Sequence, residues 1–266
     1  MALLGHETPP DPGSVGAAAA GGTGLPLRSG DEPVRSLPKV CGRFISITTG
    51  ADLAAVFDAD LVAADHPPRW NVAPTDEVYA VAEADGRRRV GRVRWGLVPP
   101  WADSPKVGGR MINARAETLL DKDVFRRPLE RRRCLVPADG FYEWTPAASG
   151  GKARGGKQAW HLRPRDGGLL AFAGLWESWR PRGGDGERVV SATIVTTAAN
   201  ATVRPVHDRM PACLPAAAWA AWLDPANDDL LGLTALLGPA PEDLLELRPV
   251  GPAVGNVAND GPELLA

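Results

Sequence analysis

Between Glu77 and Val98 the chain writes a β-hairpin. Residues Glu77 to Ala84 and Arg88 to Val98 alternate apolar and polar side chains and are rich in β-formers, the period-2 pattern of strands with one buried face. Asp85-Gly86 lies between them, a dipeptide suited to the positive φ angles of a tight two-residue turn. The hairpin therefore commits the middle of the chain to an antiparallel sheet.

The neighbouring segments extend that reading. Phe44 to Ile47 reads as a strand that leads into a helix from about Ala51 to Phe57. Further strands are expected at Cys134 to Val136, Phe141 to Trp144, Gln158 to Leu162, Leu169 to Trp176 and Val189 to Thr197. Asp121 to Arg132 reads as a basic helix that Pro128 should kink or divide. Ala216 to Leu223, Asp228 to Leu237 and Glu242 to Leu247 read as helices. Strands crowd the middle and helices the ends, with no regular βαβ alternation and no internal repeat. This predicts a mixed α+β fold, with a curved, barrel-like β-sheet core and peripheral helices. Residues 1–40, rich in Gly, Ala and Pro and without periodic apolar residues, are expected to be a disordered extension. Residues 41–258 form the expected single domain, followed by a tail at 259–266; the glycine-rich loop from Ala147 to Lys157 is expected to be mobile.

Several function classes lack support. The longest apolar run, near Ala216 to Leu223, is far short of the roughly 20 residues a membrane helix needs. No signal-peptide pattern opens the chain, so a cytoplasmic location and no membrane partner are expected. The three cysteines, Cys41, Cys134 and Cys213, form no C-x-x-C pair, which argues against a disulfide framework or a structural metal site. A P-loop, a G-x-S-x-G elbow and an H-E-x-x-H helix are all missing, and no cofactor is expected. The charge is uneven: Cys41 to Arg165 holds 21 Lys/Arg against 15 Asp/Glu, whereas Asp166 to the end holds 6 against 13. The excess sits at Arg87-Arg88-Arg89, Arg92, Arg94, Arg126-Arg127 and Arg131-Arg132-Arg133. Such a bias suits an anionic polymer, and equally a solvated strand or helix surface.

Cys41 is expected to begin the structured part of the chain. At a chain terminus a cysteine carries an α-amine and a thiol on neighbouring carbons, and together they condense with an aldehyde to a five-membered thiazolidine. The α-amine has a reference pKa of about 7.7–8.0, against about 10.4 for lysine, so much more of it is neutral near pH 7. In mid-chain the amine is absent and most of this chemistry goes with it. Arginine outnumbers lysine 25 to 5, a bias of GC-rich coding, in which GTG often starts translation. Val40 as the true initiator would expose Cys41 after methionine removal; a prosegment cut before Cys41 is the competing expectation.

Four segments combine reactive with rigid residues: Cys41 to Phe44, Ile112 to Glu117, Asp139 to Trp144, and His207 to Pro211. Together they supply a nucleophile, an amide, a carboxylate and an imidazole. With Trp70-Asn71-Val72-Ala73-Pro74-Thr75, Trp95-Gly96-Leu97-Val98-Pro99-Pro100-Trp101 and the run Arg133 to Trp144, these motifs resemble, in order, those of the SOS response-associated peptidase (SRAP) family. The resemblance runs from Cys41 to about Pro215; the extension ahead of Cys41 departs from it.

The resemblance implies a DNA damage response protein that binds single-stranded DNA and captures abasic sites covalently. The α-amine of Cys41 would form a Schiff base with the ring-opened sugar, and the thiol would close it to a thiazolidine cross-link. The family name also implies autoproteolysis that frees the cysteine, and the Schiff base implies some lyase activity. Cys41, Asn113, Glu143 and His207 are the catalytic candidates. Glu143, between two aromatic residues, should have a raised pKa suited to proton transfer. His207 can exchange a proton near neutral pH and would assist sugar ring opening. Asn113 would hydrogen-bond the sugar or hold the cysteine backbone. Arg43, Arg115 and Arg209 suit bidentate phosphate contacts, though any could instead pair with a carboxylate. Asn71 is a weaker candidate for the same pocket.

Nine tryptophans are many for this length, and stacking on aromatics binds bases without regard to sequence. Trp70, Trp95 and Trp101 are the candidates for DNA contact, whereas Trp176, Trp179, Trp219 and Trp222 read as core. Cys134 and Cys213 also read as core, and His6, His66 and His161 receive no role. The rival readings are an N-terminal-nucleophile hydrolase acting on amides and a non-covalent single-strand binding module. A monomer is the expected state.

Overall fold

The computed structural model describes residues 41–147, 156–183 and 186–266. The expected extension at 1–40 and most of the expected mobile loop lie outside these residues. In chain order the first half contains β1 (Phe44–Ser46), α1 (Gly50–Phe57), β2 (Asp60–Leu61), β3 (Arg69–Val72), β4 (Glu77–Ala84), β5 (Arg87–Trp95), β6 (Asn113–Arg115), α2 (Asp123–Arg131) and β7 (Arg133–Ala138). The second half contains β8 (Gly140–Pro146), β9 (Lys157–Pro164), β10 (Leu170–Trp179), β11 (Val189–Ala198), β12 (Arg209–Pro211), α3 (Ala216–Leu223), α4 (Leu230–Ala235) and β13 (Leu245–Val250).

The fold is mixed α+β, built from two sheets. One runs β13-β9-β8-β1-β3; the other runs β12-β11-β10-β7-β4-β5-β2, with β6 added beside β11. A short parallel pairing of β11 with β5 (Ser191 with Arg94, Ala192 with Trp95) turns the larger sheet back on itself as a partial ring. One apolar cluster, with Phe44, Trp95, Phe141 and Phe172, draws residues from both sheets. A second, with Leu53, Phe57, Leu129 and Trp222, packs helices against the larger sheet.

Local sequence explains most elements. The β4–β5 hairpin turns on Asp85 (φ 54°) and Gly86 (φ 69°), as the dipeptide predicts. Thr49 caps α1 by accepting from Asp52 N, and the helix stops at Asp58 in the left-handed region. Gly96, at φ +123°, allows the Trp95–Trp101 segment to lie against Gly108, where a Cβ would sit 2.5 Å from Gly108 O.

Two expectations are corrected. Glu242 to Leu247 is not a helix: β13 pairs with β9 over Leu245–Val250, and Arg163 Nε donates to Glu246 Oε1 at 2.6 Å across the ladder. Buried Leu245 and Val250 gain more from that sheet than local helix propensity offers. Pro128 does not divide α2, whose buried face of Phe125, Pro128 and Leu129 holds the helix together. The expected tail at 259–266 packs onto the domain: Asp260 accepts from Trp70 N and Asn71 N, and Leu264 is buried. Several arginines of β5 lie near carboxylates while their side chains stay partly or largely exposed, with Arg88 3.7 Å from Glu83, Arg92 3.5 Å from Glu77 and Arg87 3.7 Å from Asp60.

Candidate functional site

The site is assembled where β1 runs beside β8. Phe44 pairs with Phe141 and Ile45 with Gly140, while Tyr142 N donates to Arg43 O at 3.0 Å. This register carries Cys41 past the side chain of Glu143, and Cys41 N donates to Glu143 Oε1 at 2.6 Å. The nitrogen here is a peptide N–H; in a chain beginning at Cys41 it would be the α-amine. Cys41 holds a left-handed φ of 42°, a conformation that costs a non-glycine residue roughly 1–2 kcal/mol. Its thiol is buried in the cluster between the sheets.

Burial dominates the electrostatics. Glu143 is 3% exposed, and its carboxyl is pushed up to about 8 by desolvation, opposed by the Cys41 N–H bond and aided by the Asp208 charge. The Cys41 thiol is pushed well up by its burial and then by Glu143 and Cys213. At neutral pH the pair therefore holds a thiol and a carboxyl that keeps its proton more often than an exposed one.

His207 lies on the turn before β12, its backbone N bonded to Val203 O at 3.1 Å. Its ring Nδ1 lies 3.0 Å from Arg209 N and 2.8 Å from Asp208 Oδ1. The two contacts suit different states: the backbone N–H donates to an unprotonated Nδ1, whereas a protonated Nδ1 donates to Asp208. Nε2 is buried with no partner among the described residues. A ring with a partner for each state and an unused nitrogen is equipped to move a proton.

β6 and β12 lie on either side of the end of β11. Asn113 pairs with Ile194 on one side, and Arg209 pairs with Ala198 on the other. Arg209 then grips Glu117 through two bonds of 2.6 and 2.9 Å and Thr196 O through a third of 2.6 Å. Its guanidinium thus meets the carboxylate alternative raised by sequence, and holds Glu117 below the usual carboxylate range. Arg115 is exposed on β6, with no ion pair among the described residues. Arg43 Nη1 donates to Asn71 Oδ1 at 2.8 Å and to Val254 O at 3.0 Å.

The profile of the family described as SOS response associated peptidase (SRAP) matches residues 40–257. The chain belongs to the SRAP family. It is 38% identical over 228 residues to the abasic site processing protein YoqW of Bacillus subtilis, covering 85% of this chain and 99% of that protein. It is 32% identical over 235 residues to the abasic site processing protein YedK of Escherichia coli, with shares of 85% and 99%. The abasic site processing protein HMCES of Gallus gallus is 35% identical over 69% of this chain and 59% of its own. A crystal structure of a Bacteroides thetaiotaomicron protein shares the fold, with TM-score 0.73, 22% identity and coverage of 85% of this chain and 98% of that one.

Within this SRAP protein, burial redistributes the sequence candidates. Trp95 is a correction: it is 1% exposed, donates to Ile112 O and packs edge-on to Phe44 at 5.0 Å, so no base can reach it. Asn71 is another. It is fully buried, with Nδ2 donating to Val254 O, Asn256 O and Asn259 O, which leaves it clipping the C-terminal segment to β3. Trp70 is half-buried, its carbonyl accepting from Tyr142 Oη at 2.9 Å. Trp101 is 48% exposed, with the Arg127 guanidinium 5.9 Å from its ring centre. Arg133, from the basic run, is buried and donates to the carbonyls of Trp222, Leu129 and Glu130.

Sequence reasoning missed the segment Val254 to Asp260, which positions Arg43. Its signal was the polar run Asn256, Asn259, Asp260 beside Gly255, too short to read without knowing its partner. Among the described residues no three His, Cys, Asp or Glu side chains are grouped to hold a metal, and no helix is long and apolar enough to cross a membrane.

Proposed function

We propose that this protein processes abasic sites in single-stranded DNA by covalent capture on Cys41. The contact between Cys41 N and Glu143 Oε1 carries the reading: it sets a carboxyl with a pKa near 8 against the atom that must attack the aldehyde. The names of the relatives, abasic site processing proteins, support the substrate class. The amine adds to the sugar C1 aldehyde, water leaves, and an imine forms. The thiol then adds to the imine carbon, its proton passing to nitrogen, and a thiazolidine closes. Glu143 exchanges the protons of the first stage, His207 assists ring opening, and Asn113 orients the sugar. Elimination from the imine before closure would give strand cleavage, a lyase side reaction.

The chemistry requires Cys41 to carry the free amine, by self-cleavage of what precedes it or by initiation at Val40 and methionine removal. The left-handed φ of Cys41 is in keeping with strain at a junction to be cut. The processed protein is incubated with single-stranded DNA holding one abasic site and then denatured. A heat-stable shifted band that vanishes in Cys41→Ala supports the reading; binding without such a band refutes it. Intact mass of the protein from its own host decides whether Cys41 is terminal.

A further inference from the structure

Glu117 has no part in the chemistry described so far, yet its carboxylate accepts both bonds, of 2.6 and 2.9 Å, from the guanidinium of Arg209. We propose that Glu117 is a positioning residue for capture: through Arg209 it fixes the turn carrying His207 relative to the strand carrying Asn113, and holds the His207 ring in one tautomer. The inference rests on the capture reading above, and adds to it a residue that acts only through another side chain.

Three observations carry it. The first is topology. β6 and β12 pair with β11 and not with each other: Ile194 to Thr196 take Asn113 to Arg115 on one side, and Thr196 to Ala198 take Pro211 to Arg209 on the other. Glu117 follows β6 on the short turn Ala116–Thr118, and Arg209 opens β12. The ion pair therefore ties the two outer segments together across the strand between them, where Arg209 Nη2 also donates to Thr196 O at 2.6 Å. The second is the step from Arg209 to the ring. Arg209 N donates to His207 Nδ1 at 3.0 Å, which requires a bare Nδ1 and puts the proton of the neutral ring on Nε2. Asp208 Oδ1, 2.8 Å from the same nitrogen, selects the opposite arrangement. Seating the Arg209 side chain keeps its backbone donor in place and settles that contest. The third is burial. The Arg209 side chain is 15% exposed and Glu117 52%. An exposed carboxylate adds little stability through an ion pair, but a two-pronged one fixes the plane of a guanidinium. The bond from Arg209 holds Glu117 below the usual carboxylate range, so the pair stays ionised at neutral pH. The turn so held stands near the nucleophile's partner, since the Asp208 charge acts on Glu143.

The test separates rate, affinity and the state of the ring. In single-turnover cross-linking to single-stranded DNA with one abasic site, Glu117→Ala should slow capture about tenfold or more, because small misplacements of a reacting group are costly. Glu117→Gln keeps one acceptor oxygen for Arg209, and should restore the rate to within about threefold of wild type. Affinity for an undamaged single-stranded oligonucleotide, read by fluorescence anisotropy, should not weaken in either variant, since each removes a negative charge. Imidazole nitrogen NMR of histidine-labelled protein reads the ring: wild type should show a bare Nδ1 and a protonated Nε2 at His207, and Glu117→Ala should lose that signature. A Glu117→Ala rate within about twofold of wild type, or an unchanged His207 signature, overturns the proposal. So does a Glu117→Gln variant as slow as Glu117→Ala with both melting early, which would make the ion pair merely structural. The NMR arm needs no cross-link, so a protein that never captures refutes capture while the positioning of the ring is still decided.

Discussion

Cys41 N and Glu143 Oε1 lie 2.6 Å apart although 102 residues separate them in sequence. The pairing of β1 with β8 makes the contact, and the burial of both residues gives it chemical weight. A carboxyl that titrates near 8 can both take a proton from an ammonium and return one to a leaving hydroxyl close to neutral pH.

Glu143→Gln should keep the shape and the hydrogen bond from Cys41 N while removing proton exchange. Cross-link formation is expected to slow at least 100-fold, the lower end of general acid–base contributions. Affinity for a single-stranded oligonucleotide carrying a tetrahydrofuran residue, which cannot form an imine, should change less than threefold. Single-turnover kinetics beside anisotropy check this; equal losses in both would assign Glu143 a structural role.

The same residue sets a pH dependence of stability. Its carboxyl stands at about 8 in the folded chain against an ordinary 4.5, so between those values the unfolded state has given up a proton that the folded state retains. Stability from this group is therefore complete below about pH 4.5 and falls as pH rises towards 8, by at most about 1.4 kcal/mol per unit. His161 works in the opposite sense: burial depresses it to about 4, so its contribution is lost as pH drops below the ordinary 6.5. Urea midpoints of wild type and Glu143→Gln isolate the first effect. The variant should gain on the wild type from pH 5 to pH 8, and a constant difference would remove the raised carboxyl.

Gly140→Ala should destabilise by about 1–3 kcal/mol through overpacking. A Cβ at this position would press on the His161 ring and lie 2.8 Å from Leu162 O, which is backbone and cannot swing aside. Because Gly140 starts β8, capture should slow as well, through displacement of Glu143. Thermal unfolding checks it: a melting temperature within 1–2 °C of wild type would contradict the packing.

Asn71→Asp should cost more than about 2 kcal/mol, despite near-identical volume. The two Nδ2 hydrogens are shared among three carbonyl oxygens, and a carboxylate oxygen in their place would be repelled by all three. With Val254 released, Arg43 loses its seat and binding to single-stranded DNA should weaken too. Equal denaturation midpoints for Asn71→Asp and wild type would rule out the clip.

Much of the molecule was legible before folding. The hairpin followed from period-2 alternation and an Asp-Gly turn, and the α+β class from the scatter of strands and helices, because these signals are local. Local signals failed where distant partners outweighed propensity, as at Glu242 to Leu247, which reads as helix in isolation, whereas the chain from Leu245 forms a strand because β9 offers an open edge. They failed again at Trp95, whose motif loop suggested access to a base until the two sheets closed over it.

By itself the sequence determined which chemical groups exist, their order, and the family motifs that hold them. Tertiary structure alone decided which groups meet and how far each stands from water. A raised carboxyl, a guanidinium seated on neutral acceptors and an imidazole with two partners are products of desolvation and distance, and neither quantity is defined until residues remote in sequence pack together.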